Sequence, residues 1–150
     1  MLKLDSKIQE FIDRQINSSA SDLMLKASTY PDWDMKAIAQ QLVGKQIAKK
    51  KLPTWFYNNK VLYPVRLSME QCSSEKTAKY KTTIINSGHG IDLTGGFGVD
   101  THFLSKQSDS IIYCEKNKDL AAIAAHNLNI FSKNKFKVFV GDGVDYLTSL

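Results

Sequence analysis

The chain has 150 residues, 43% of them hydrophobic and 23% charged, with a formal net charge of +5. That is about one domain's worth of ordinary globular composition, and it excludes a membrane span, because no apolar run approaches the ~18 residues a span needs. The two cysteines, Cys72 and Cys114, form no CxxC, and with His89, His102 and His126 they show no zinc-like spacing, so free thiols and no metal site are expected.

The chain opens on Met1-Leu2-Lys3-Leu4-Asp5, with no apolar signal core and no small-residue cleavage site, so a cytoplasmic protein is expected. From Leu4 to Ile16 the apolar residues Leu4, Ile8, Phe11, Ile12 and Ile16 keep helical spacing. Asn17-Ser18-Ser19 breaks that helix, and Ser21 or Asp22 is expected to cap a short second one over Leu23–Ser28. Tyr30-Pro31-Asp32 reads as a turn. Met35–Lys51 carries one apolar stripe (Met35, Ile38, Ala39, Leu42, Val43, Ile47). An acid precedes this helix, and Lys49, Lys50 and Lys51 crowd its end, as the helix dipole favours. Pro53 stops it. Thr54-Trp55-Phe56 and Val61-Leu62-Tyr63 flank Asn58-Asn59, which predicts a hairpin or tight turn. Helical character resumes over Leu67–Ile85, with Ser73, Ser74 and Glu75 near a helix start.

From residue 90 the pattern alternates strand and helix. Gly90–Thr94, Ser110–Glu115 and Lys135–Val140 are the expected strands. Val99–Gln107, a helix capped by Asn117, and Val144–Leu150 are the expected helices. A β-α-β-α-β-α order predicts a parallel sheet in an α/β fold. The expected division is a helical region over 1–66 and a nucleotide-binding region over 67–150.

In an open parallel sheet, ligands bind beyond the carboxyl ends of the strands. Each strand here ends at or beside an acid: Asp92, Glu115 and Asp142. After Asp92 comes Leu93-Thr94-Gly95-Gly96-Phe97-Gly98, whose glycines let backbone approach a ligand. Glu115 follows Gly98 by 17 residues, near the ~20-residue offset at which an acid takes ribose hydroxyls. Asp92 can accept from an ammonium or hold loop amides, and Asp142, beside Gly143, can accept from an exocyclic adenine amine. The dinucleotide fingerprint G-x-G-x-x-G fails, because Thr101 stands where the third glycine belongs. An acid beside the loop also disfavours a pyrophosphate. S-adenosylmethionine, with an ammonium, a sulfonium, a ribose, an adenine and no phosphate, matches the three acids group by group.

These residues resemble the class I S-adenosylmethionine-dependent methyltransferases: Asp92–Gly98 is similar to their first motif, Glu115 to their ribose-binding acid, and Gly141-Asp142-Gly143 to their adenine-contacting turn. More narrowly, Lys50-Lys51-Leu52-Pro53-Thr54-Trp55 and Glu70-Gln71-Cys72-Ser73-Ser74-Glu75 resemble bacterial methyltransferases with a THUMP-like domain. The resemblance implies a helical N-terminal region followed by the first half of a Rossmann-like methyltransferase fold. It also implies S-adenosylmethionine held at Asp92, Thr94, Gly95, Gly96, Gly98, Glu115, Asp142 and Gly143, and an RNA substrate. Such folds have seven strands, so catalytic residues are expected beyond Leu150, and this stretch alone is expected to be inactive. The outer edge of strand one, with Ile91 and Leu93, is then expected to pair with another copy or to be covered by the N-terminal helices.

Charge adds one more expectation. Residues 1–90 hold 14 Lys and Arg against 8 Asp and Glu, and residues 91–150 hold 6 against 7. A basic excess confined upstream of the glycine loop suggests nucleic acid, or a solvated lysine-rich face. Two other readings compete with the methyltransferase: a non-catalytic RNA- or partner-binding module on a degenerate nucleotide fold, and an NAD(P)-dependent enzyme, against which the missing third glycine argues.

Overall fold

The computed structural model describes residues 4–132 and 135–150, so Met1-Leu2-Lys3 at the start of the expected leaderless terminus lie outside the described residues. The chain divides into two compact units, one reaching Glu70 and the other running from Gln71 to Leu150. Among the described residues no helix is long and apolar enough to cross a membrane.

The first unit is helical. α1 (Ser6–Arg14) begins where the Asp5 carboxylate accepts from the Ile8 amide. α2 (Ala20–Met24) is capped by Ser19 rather than by Ser21 or Asp22. Asp22 instead completes a capping box, its carboxylate accepting from the Ser19 amide at 3.2 Å while Ser19 Oγ accepts from the Asp22 amide at 3.0 Å. That cap pulls the helix start forward, and the expected tail of α2 becomes a separate 3-10 turn at Ala27–Thr29. α3 (Met35–Lys51) has the expected bounds, with Asp34 as its cap. Ile8, Phe11, Ile12, Leu23, Met35, Ile38, Ala39 and Leu42 from these three helices form one buried cluster.

Of the hairpin or tight turn expected around Asn58-Asn59, the structure has the turn, with the Val61 amide donating to the Asn58 carbonyl at 3.2 Å, and not the hairpin. Pro53–Phe56 forms a short helix, α4, with proline in its first turn, where a missing N–H costs nothing. Val61, Leu62 and Tyr63 are buried but belong to no helix or strand. Their place is fixed by a side chain. The buried Gln41 amide donates to the Tyr63 carbonyl at 2.8 Å and accepts from the Tyr63 amide at 2.8 Å. Gln40 donates to the same carbonyl at 3.0 Å, and the Tyr63 hydroxyl donates to the Trp55 carbonyl at 3.1 Å. A glutamine on α3 thus does what a neighbouring strand would do. The expected long helix over Leu67–Ile85 is likewise two helices, α5 (Arg66–Gln71) and α6 (Glu75–Thr82). Ser74 takes an extended conformation and accepts from the Thr77 amide, which starts α6 afresh.

The second unit continues from α6 with β1 (His89–Asp92), α7 (Val99–Leu104), β2 (Ser110–Glu115), α8 (Lys118–Phe131), β3 (Phe136–Val140) and α9 (Gly143–Thr148). The three strands form a parallel sheet in the order β1-β2-β3, with Ile91 opposite Ile112 and Ile112 opposite Lys137. The α/β architecture is therefore the one expected. β2 is the central strand, and Ile111, Tyr113 and Cys114 on it are fully buried. α8 packs on β2 and β3 through Ala121, Ala124 and Leu128, which meet Tyr113 and Phe136. α7 packs on α6 and β2. It carries a buried histidine, His102, whose Nδ1 lies 2.7 Å from Ser132 Oγ. Burial holds its pKa down to about 4.

The Gln41 arrangement yields a direct test. Replacing Gln41 with Leu keeps the bulk but orphans the Tyr63 amide, which costs about 1–3 kcal/mol when buried. Denaturant unfolding of the Gln41→Leu variant is expected to show a loss of that size. An unchanged midpoint would mean that the glutamine is not what fixes the segment.

Candidate functional site

The parallel register brings the carboxyl ends of all three strands to one edge of the second unit, and the candidate residues gather there. β1 ends at Asp92, β2 at Glu115, and β3 leads into Gly141-Asp142-Gly143. The loop Leu93–Gly98 leaves β1 and turns into α7. Gly96 and Gly98 sit at φ +54° and +82°, left-handed values that L side chains rarely adopt, so the loop needs glycine at both. Gly98 is the residue before α7 and closes the turn with an amide hydrogen bond to the Gly95 carbonyl at 2.8 Å.

Strand β2 holds this loop from beneath. The Gly95 amide donates to the Cys114 carbonyl at 2.8 Å. The Gly96 amide donates to Glu115 Oε2 at 3.0 Å, and the Gly96 carbonyl accepts from the Tyr113 hydroxyl at 2.6 Å. The N–H and the C=O of Gly96, which belong to the two peptide groups flanking its Cα, are therefore gripped by residues two apart on β2, which a strand places on the same face. The other Glu115 oxygen accepts from the Asn117 amide at 2.8 Å, tying the β2–α8 turn to the same carboxylate. A carboxylate offers about four lone-pair sites, so two remain at Glu115 for a ligand. Asp92 is expected either to accept from an ammonium or to hold loop amides; of the loop amides it meets that of Thr94 at 3.4 Å, while Glu115 takes the central one, that of Gly96. Tyr113 was not singled out at all, and the only signal for it was its spacing of two from Glu115.

Asp92 is held differently. Its Oδ2 accepts from the Thr101 hydroxyl at 2.6 Å, and its Oδ1 lies 3.4 Å from the Thr94 amide. Burial pushes its pKa above the usual carboxylate range, and the nearby Asp100 carboxylate adds to that, against the Thr101 hydrogen bond. Asp92 is thus a carboxylate short of positive partners, suited to an ammonium. Asp100, one residue before Thr101, has its own support: Oδ2 accepts from Ser73 Oγ at 2.8 Å and from Lys81 Nζ at 2.6 Å. These two residues tie α6 and the turn before it to the start of α7.

Asp142 caps α9, accepting from the Val144 amide at 2.8 Å, and it pairs with Lys116 Nζ at 2.6 Å. The lysine holds the carboxyl pKa below its usual range. Asp142 can meet a ligand amine through its remaining lone pairs or by releasing Lys116. Gly143 is buried against the Leu93 backbone and joins the third turn to the first. Thr94 is exposed on the loop, and Gly95 is buried beneath it. Among the described residues no His, Cys, Asp and Glu side chains gather as a metal site.

No protein-family model matches the chain, and no curated relative matches it. Solved structures do. A "putative methyltransferase" from Porphyromonas gingivalis W83 is similar to 99% of the chain at 30% identity, with a TM-score of 0.77. The chain spans 39% of that protein's length. A conserved hypothetical protein from Streptococcus pyogenes overlaps 50% of the chain and 48% of its own length at 19% identity, with a TM-score of 0.44. A "putative RNA methyltransferase" from Pyrococcus horikoshii overlaps 69% of the chain and 51% of its own length at 23% identity, with a TM-score of 0.36. Overlaps as loose as the last two do not establish a shared fold. The first does: over 99% of its length the chain shares the fold of part of the Porphyromonas structure.

Because the folded protein raises the Asp92 pKa, it gains stability from that group below the ordinary carboxylate pKa and loses it as pH rises through the shifted value. Asp92→Asn is therefore expected to be more stable than the parent chain at pH 7. The difference should shrink as pH falls to the ordinary value of 3.8. Melting curves across that range check it, and a variant less stable at neutral pH would contradict the assigned burial.

Proposed function

We propose that the chain is the cofactor-binding part of an S-adenosylmethionine-dependent methyltransferase of the THUMP-like kind, acting on RNA. One observation carries the cofactor class. The loop amide that a pyrophosphate would take is already held by the Glu115 carboxylate at 3.0 Å. An anion at that place would meet a negative charge, whereas a hydroxylated, cationic, phosphate-free ligand would meet acceptors. The residues fit the methyl donor: the spare lone pairs of Glu115 suit ribose hydroxyls, the desolvated Asp92 carboxylate suits the ammonium, and Asp142 is positioned for an adenine amine. Thr94, Gly95, Gly96, Gly98 and Gly143 supply the backbone around them. The similarity to the Porphyromonas structure supports the same reading.

When bound, S-adenosylmethionine supplies an activated methyl group on a sulfonium. The chain's own contribution is to bind and orient the donor. The chain spans 39% of the Porphyromonas structure, and by itself it is expected to transfer no methyl group. The basic excess of residues 1–90, 14 cationic against 8 anionic side chains, supports RNA as the acceptor, in a cytoplasmic protein.

Calorimetric titration of S-adenosylmethionine into the chain, with NADH as comparator, tests the reading. Saturable binding of the first and not the second is expected. Glu115→Ala removes charge-assisted hydrogen bonds worth ~1.5–3 kcal/mol and is expected to weaken binding at least ~10-fold. Binding of neither ligand would leave a non-catalytic module, and tighter binding of NADH would make the site a dinucleotide site.

A further inference from the structure

We propose that the first unit carries a site for single-stranded RNA of its own, in the depression between the end of α1 and the 3-10 turn that follows α2. The depression encloses about 380 Å³ and is lined by Phe11, Arg14, Gln15, Lys26, Thr29 and Tyr30. That volume lies within the ~300–1,000 Å³ of small-molecule sites, room enough for one nucleotide. No carboxylate is among its lining residues, yet two cations are.

The cations are not there to neutralise anything nearby. Arg14 is exposed and has no carboxylate partner among the described residues. Lys26 Nζ donates to Gln15 Oε1 at 2.8 Å, and Ser18 Oγ donates to the same oxygen at 2.9 Å. A neutral amide therefore holds the ammonium in place, and no carboxylate among the described residues forms an ion pair with it. The acids in the neighbourhood have other work. Asp13 is paired with Lys45, and Asp22 is engaged in the capping box with Ser19, though it also feels the field of Lys26. The dipole of α1 explains a cation at Arg14, but not a second cation, held by a neutral side chain, in the same depression.

The wall of the depression is a braced aromatic ring. Tyr30 stacks on Trp33 with centroids 4.6 Å apart and planes 14° apart. Phe11 meets both edge-on, at 5.1 and 5.2 Å. A ring immobilised in this way offers a flat surface at little entropic cost, and every unpaired base has a π-face to lay on it. Guanidinium and ammonium groups beside such a ring suit the flanking phosphates. A duplex keeps its bases stacked internally and cannot use the ring, so the site is assigned to single strands.

This assignment does not rest on the cofactor reading, because the residues and the ligand differ. Fluorescence anisotropy of a short labelled oligoadenylate, titrated with the full chain over a series of salt concentrations, tests it. Binding is expected to fall with salt. In the Arg14→Gln/Lys26→Gln double variant the log–log salt slope should be shallower by ~1.4, which is ~0.7 for each single-strand phosphate released. S-adenosylmethionine titration of that variant should be unchanged. Tyr30→Ala should weaken binding about 5- to 150-fold, the loss of one stacked base, while Tyr30→Phe should retain it. Should Tyr30→Ala fail to fold, a change in Trp33 emission on titrating the unmodified chain reads the same contact. Absence of binding, an unaltered salt slope in the double variant, or equal competition by polyglutamate or by duplex RNA would each overturn the proposal.

Discussion

The glycine loop has its shape because both backbone polar groups of one residue, Gly96, are held by strand β2. Glu115 takes its N–H and Tyr113 takes its C=O. This is possible only because β2 places alternate side chains on one face and because the parallel register sets Asp92 opposite Tyr113. The strand then overruns the end of β1 by two residues, and Glu115 arrives beneath the loop. A register slip of one residue would turn both side chains to the opposite face. The site is thus a consequence of strand pairing before it is a consequence of any loop sequence. The acid that organises the loop also ties down the next turn through Asn117, so two of the three turns at this edge share one carboxylate.

The same device, a side chain standing in for missing backbone, recurs in the helical unit. Gln41 reaches from α3 and satisfies both polar groups of Tyr63. A buried segment outside any helix or strand must find such a substitute, since an orphaned N–H or C=O in an apolar core is costly. Burial of Tyr63 therefore depends on a polar residue on the buried face of α3.

The contrast explains what could be read from the chain. α3, β2, α8 and the three strand-terminal acids were legible because periodicity, length and caps agreed locally. Asn117 capping α8 and Asp34 capping α3 were of that kind. The turn at Asn58-Asn59 is legible, but the hairpin strands expected on either side are not formed, because their β-branched and aromatic content suits a strand while the partner that settles the state of Tyr63 lies far along the chain on α3. The split of Leu67–Ile85 turned on Ser74, one of several adjacent residues able to cap. Within the site, Asp92, Glu115 and the glycines stood out by spacing. Tyr113, Thr101 and Lys81 did not, because their roles arise from contacts between elements, and no local pattern encodes which hydroxyl or ammonium will meet which carboxylate.

His102 gives the second unit a built-in acid sensitivity. Its imidazole is neutral in the folded protein down to about pH 4, whereas in an unfolded chain it gains a proton near pH 6.5. Its contribution is complete above that higher value and drains away as the medium is acidified toward the lower one. The histidine sits on α7, the helix into which the glycine loop runs. Acidification therefore lowers the stability of the unit that carries the glycine loop, through a residue that lies outside the candidate site.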